Sequence, residues 1–128
     1  MADYSPVYAN GLAPFTMTAS AAVVGGTLAE STTTGACATA GAASLKVIGV
    51  FAHDAPSGGR VSVWPIDGVV HEIVHTAGGT VGDLLKAAAS GQLATDNTAG
   101  VLAAAGTMVG IALTTAGAAA KMRFLGRN

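Results

Sequence analysis

Cysteine is almost absent from this 128-residue chain: Cys37 is its one thiol. That excludes an internal disulfide and a cysteine-built metal cluster. Charge is scarce too, with 6 Lys plus Arg against 7 Asp plus Glu, 10% of residues and a net charge of -1. An ordinary soluble domain carries about 25%. No basic stripe is present to neutralise phosphates, which points away from a nucleic-acid partner. Aromatic residues reach only 5%, yet hydrophobic residues reach 51%, so the composition is not that of a disordered chain.

Long hydrophobic runs are also missing. One long uncharged stretch, 97–120, could span a bilayer and contains Gly106-x-x-x-Gly110, the spacing of a membrane helix-dimer seam. It is mostly Ala, Gly and Thr, and Asp96 rather than a basic cluster stands at its start, so no membrane span is expected. Asp3 and the lack of a basic leader argue against a signal peptide. What fills the chain instead is small residues: 18 Gly, 28 Ala and 14 Thr. A weakly charged surface of this kind fits a soluble protein covered by copies of itself or by a partner.

Residues 1–14 hold Pro6, Pro14, Gly11 and both tyrosines, which reads as an extended arm rather than part of a ladder. Its Tyr4, Pro6, Tyr8 and Leu12, with Phe15 beyond it, are expected to lie on another subunit or partner. From Phe15 to Val23 apolar and polar residues alternate, the period of a strand. Thr27–Glu30, Lys46–Ala52, Arg60–Trp64, Val69–His75, Gly91–Thr95, Met108–Leu113 and Lys121–Leu125 read as further strands, and 31–44 as a loop with one weak strand. Thr80–Ser90 is the one helix candidate, weakened by Gly82. Strand and turn units of this spacing predict a mainly β, compact antiparallel domain over 15–128 with at most one short helix. Sliding the chain by 61 residues lays Ile48-Gly49-Val50 on Val109-Gly110-Ile111 and Arg60-Val61-Ser62-Val63 on Lys121-Met122-Arg123-Phe124. The inside-outside register then agrees in both copies, which predicts two equivalent hairpins around one core.

The sharpest chemical motif is His71-Glu72-Ile73-Val74-His75, the H-E-x-x-H of zinc peptidases. Two such histidines share a metal only when a helix stacks them one turn apart. Here Gly68 and Gly78-Gly79 bound a Val/Ile-rich segment, and in a strand positions i and i+4 lie about 13 Å apart. A third ligand is missing as well, since position 81 is Val81. His71 and His75 are therefore expected on one strand face, partly exposed or at a subunit contact. Cys37 has no nearby base and reads as a small packed residue. Asp54, Asp67, Asp83 and Asp96 adjoin turn formers and read as turn or cap residues. No nucleophile elbow or phosphate-binding glycine loop is present. Trp64 is read as a core plug or an interface anchor, and taken with the arm as a contact residue. The sequence thus predicts no enzyme, no cofactor and no metal. A zinc hydrolase built on His71, Glu72 and His75, and a glycan-binding surface module using Trp64 and the arm tyrosines, stand as alternatives.

The order of these elements resembles the head decoration, or capsid cement, proteins of tailed bacteriophages. The carriers are the arm Asp3-Tyr4-Ser5-Pro6-Val7-Tyr8, Pro14-Phe15-Thr16-Met17-Thr18-Ala19-Ser20 and the Val24-Gly25-Gly26 turn. They continue with 48–55, Gly59-Arg60-Val61-Ser62-Val63-Trp64, 68–72, 81–85, 91–93 and 109–116. The resemblance implies a small barrel or β-tulip domain and a structural role on the outer face of the mature shell. The partners it implies are the major capsid protein and further copies of the chain, commonly as a trimer. It carries no catalytic residue.

Overall fold

The computed structural model describes residues 3–97 and 107–127. The chain is nearly all β, as its alternation predicts. Among the described residues ten strands follow in order: β1 (Phe15–Thr18), β2 (Leu28–Ser31), β3 (Cys37–Thr39), β4 (Val47–Phe51), β5 (Arg60–Pro65), β6 (Val70–His75), β7 (Leu84–Ala87), β8 (Leu93–Thr95), β9 (Met108–Ala112) and β10 (Ala120–Gly126). The first five form a sheet in the order β1-β5-β4-β2-β3, and the last five close into a barrel, β10-β6-β8-β7-β9.

The two halves are the same structure made twice. Phe15 pairs with Val63 in the first half and His71 with Phe124 in the second. Ala29 pairs with Thr39, and Leu85 with Thr95. Val50 pairs with Trp64, and Ile111 pairs with Leu125. Even the bulges agree, between Ala29 and Glu30 and between Leu85 and Lys86. The barrel closes on one parallel pair, His75 with Leu93, and the first sheet has the same closure at Ala19 with Cys37. Ser20 N–H donates to the Cys37 carbonyl at 2.9 Å, and Thr76 N–H to that of Leu93 at 3.0 Å. Phe15 to His71 is an offset of 56 residues, Val50 to Ile111 one of 61. The five-residue difference is a longer β8–β9 connection.

Residues identical in both halves mark what the backbone demands. Gly26 and Gly82 share a left-handed φ (+81° and +89°), as do Gly35 and Gly91 (+80° and +68°), where a side chain is strained. At Gly49 and Gly110 a Cβ would lie 1.9 Å from the Trp64 carbonyl oxygen and 2.4 Å from that of Leu125. Ala119 occupies the place of Gly58 and takes the same left-handed turn (φ +57° against +81°).

The predicted hairpins are present in the predicted register, but they surround two cores rather than one. Ala19, Val23, Ala29, Cys37, Phe51, Val61 and Val63 fill the first. Ile73, Leu85, Leu93, Ala112, Met122 and Phe124 fill the second. The second cluster also takes in Leu28, Val47, Val50 and Ile66 from the outer wall of the first half, so the halves share one apolar joint. There Gly91 N–H donates to the Ala40 carbonyl at 3.0 Å and Ala43 N–H to that of Ala87 at 2.8 Å. A Cβ on Gly126 would sit 1.6 Å from the Ile66 carbonyl oxygen.

The helix expected over Thr80–Ser90 does not form. Thr80 N–H donates to the Asp83 carboxylate at 2.8 Å and Gly82 turns left-handed, which makes a tight turn. Leu84–Ala87 then enters the barrel as β7 between β8 and β9, with Leu85 and Ala87 inward. Ladder bonds on both sides outweigh the helix preference of Leu, Lys and Ala. One 3-10 turn, Ala89–Gly91, follows. β1 is shorter than its alternation, ending at Thr18, while Ala19 and Val23 make single bridges. Among the described residues no helix is long and apolar enough to cross a membrane. Gly106 lies outside them.

Candidate functional site: the N-terminal arm and the exposed apolar side chains

Residues 3–8 are extended, and they lie along the joint between the two halves of their own chain. Tyr4 N–H donates to the Ala52 carbonyl at 2.7 Å, and Val7 N–H to that of Val70 at 2.8 Å. Asp3 bridges to His53 on one half and Tyr8 to Val70 on the other. Tyr4 is the anchor. Its hydroxyl meets His71 Nδ1 at 2.7 Å and accepts the Glu72 N–H at 3.1 Å. Its ring stacks on His71 with centroids 5.8 Å apart. Burial pushes the Tyr4 hydroxyl pKa well up, so it remains a donor at neutral pH.

His71 and His75 are interior residues, 0% and 1% exposed, which corrects the partly exposed placement read from sequence. They point with Ile73 to the inside of β6. His71 Nε2 donates to the Pro65 carbonyl at 2.8 Å, which leaves Nδ1 to accept from Tyr4. His75 Nδ1 accepts the Gly78 N–H at 2.9 Å, so Nε2 carries the proton and donates to Thr95 Oγ1 at 2.8 Å. Thr95 in turn donates to Asp83 at 3.2 Å. The threonine proton therefore faces the carboxylate rather than the imidazole, an orientation that holds a turn in place and does not activate a nucleophile. The helix that a shared zinc would need is a strand here, and both nitrogens of each histidine are engaged. Among the described residues no three His, Cys, Asp or Glu gather at metal-binding distance.

Burial holds the His71 pKa down at about 4, only partly opposed by the Pro65 carbonyl, and burial also lowers that of His75. The unfolded chain protonates His71 near 6.5 while the folded chain resists. Stability is therefore complete above about pH 6.5 and falls as pH drops from there toward about 4. The loss attributable to His71 reaches ~3 kcal/mol, then levels off once both states are protonated. Urea midpoints at pH 7, 5.5 and 4.5 are expected to fall in that order. His71→Gln should flatten the profile, and an unchanged slope would remove His71 as the cause.

The remaining predicted contact residues divide by exposure. Tyr8, Leu12 and Phe15 leave large apolar side chains in solvent, at 68%, 45% and 40%. Pro6 and Trp64 are half-buried, Trp64 on the outer side of β5 opposite Val50. Cys37 is fully buried, its thiol pKa raised by burial. Sequence reading missed Val24, Leu45, Val81 and Leu113, which are exposed as well. Val24 and Leu45 stand beside turns, Val81 lies in the turn that replaces the expected helix, and Leu113 falls just past the end of β9, so no periodic signal marks their exposure.

The comparison with solved structures bears on this arrangement. The chain superposes on the N base of the head fiber gp8.5 of bacteriophage phi29 with a TM-score of 0.66, covering 90% of this chain and 93% of that one. Its fold is shared with a phage head fiber. Identity over the match is 18%, so the likeness is one of architecture, including both halves of the duplication. No family model and no curated relative matches the chain.

Proposed function

We propose that this chain is a non-enzymatic structural protein of a phage virion that binds the outer face of the mature head and strengthens the shell by bridging capsomers. The observation that carries this reading is the shared fold with a phage head-fiber base along nearly the full length of both chains. The site chemistry supports it. Among the described residues every buried side-chain nitrogen and oxygen has a hydrogen-bond partner, whereas the unsatisfied surface is apolar. Tyr8 and Leu12 form the contact set toward the major capsid protein, with Pro6 and Trp64 at its margin, and Phe15 falls on the subunit side of the predicted contacts. Tyr4 holds the arm in place for them. Many copies multiply a modest contact into firm attachment, and binding only the expanded shell stabilises that state by linkage.

The test is addition of the purified protein to undecorated, expanded shells. Saturable uptake and greater resistance of the shell to heat are expected, and Tyr8→Ser with Leu12→Ser should weaken uptake at least tenfold with the fold intact. Absence of saturable uptake would overturn the reading.

A further inference from the structure

The duplication leaves one joint made and an equivalent one open. Within the chain, the outer wall of the first half (Leu28, Val47, Val50) is covered by the second half and is 0–5% exposed. The same wall on the second half consists of Leu84, Met108 and Ile111, and all three are half-exposed. At the rim of the made joint, Tyr4 ties Ala52 of the first half to His71 of the second, and its ring lies 3.5 Å from where a Cβ on Gly26 would stand. The matching rim positions on the open sides are Leu113 on the second half and Phe15 on the first. They stand 46% and 40% exposed, and Val81, which replaces Gly25, is 57% exposed.

We propose that a second copy of this chain occupies the open wall, its first half seated on the second half of its neighbour as the two halves are seated within one chain. The occupant is set by the structure itself. The wall already binds a barrel end of this shape once, and both members of the missing contact, Phe15 on one side and Leu113 with Val81 on the other, carry apolar side chains in solvent. Apolar groups exposed at both complementary positions are the mark of a contact surface rather than of an idle one. Such a contact is head-to-tail: different patches of the two copies meet, and a closed ring forms where the rotation closes. Self-association is what the family resemblance already implies; the inference here is which two faces meet, and it does not depend on the shell-binding reading.

The experiment is mass measurement by light scattering together with directed cross-linking. Wild-type protein should run as a multiple of the 12.4 kDa chain. Leu113→Asp or Phe15→Asp, both at exposed positions, should reduce it to the single chain with an unchanged far-ultraviolet spectrum. For orientation, Ser90 lines one cleft together with Ala40 across the made joint, and their equivalents are Thr34 and Asp96. In a Cys37→Ala background, chains carrying Thr34→Cys mixed with chains carrying Asp96→Cys should be joined by a short bismaleimide into mixed dimers. A single-chain mass for the wild type, an assembly that survives both aspartate variants, or cross-links only between like chains would each overturn the proposal. Shell uptake, measured separately, distinguishes its failure from failure of the shell-binding reading.

Discussion

Gly110→Ala is expected to abolish stable folding, and Gly49→Ala to do the same from the other half of the molecule. A methyl at either position would press on a backbone carbonyl oxygen, 2.4 Å away at Leu125 and 1.9 Å away at Trp64. Overpacking a core costs about 1–3 kcal/mol when side chains can shift. A ladder carbonyl cannot rotate aside, so the cost here lies at ~3 kcal/mol or above, against a total stability of about 5–15 kcal/mol. Gly117→Ala is the control, since nothing lies within 4 Å of the added carbon and its φ is ordinary. Denaturant midpoints and soluble yield decide the matter. A Gly110→Ala protein as stable as the Gly117→Ala one would mean that the two central hairpins are not packed as described.

The second large effect belongs to Tyr4. Tyr4→Phe keeps the ring and deletes the hydroxyl that serves both His71 Nδ1 and the Glu72 N–H. Leaving those buried groups without a partner costs about 2 kcal/mol. Tyr4→Ala also removes the ring stacked on His71 and set against Gly26, for a total of about 3 kcal/mol. Tyr8→Ala, whose side chain is exposed, should change stability by less than about 0.5 kcal/mol. The contrast separates the two tyrosines of one arm. Tyr4 is a structural pin and Tyr8 a free contact, so thermal midpoints should respond to the first and partner binding to the second. Equal thermal effects from both would refute this division.

Sequence alternation is a sound guide where the buried face is apolar. Arg60–Val63 alternate in burial as they alternate in chemistry, whereas Val70–His75 keep the period but turn the two histidines inward and Val70 and Val74 outward. The hairpin echo was visible because β4–β5 and β9–β10 keep a constant offset. Its counterpart in β1–β3 and β6–β8 was hidden, since the longer β8–β9 connection changes the offset and few identical residues survive besides Gly26/Gly82 and Gly35/Gly91. Thr80–Ser90 reads as a helix because its Leu-Leu-Lys-Ala run prefers one locally, and only pairing with distant β9 reveals a strand. The burial of His71 depends on Tyr4, 67 residues earlier. No local pattern carries that information. Neither does any local pattern mark Val81 and Leu113, which stand out only when each half is laid over the other.

The two cores have traded their largest ring across one pair of strands. Phe51 on β4 faces Val63 on β5, while Ala112 on β9 faces Phe124 on β10. Each barrel therefore holds a single phenyl group at this level, donated from opposite sides of the same hairpin. A chimera uniting β4 with β10 would crowd two rings into the slot, and one uniting β9 with β5 would leave it hollow. The twins are thus bound to their own hairpins, and recombination between them is viable only when both strands move together.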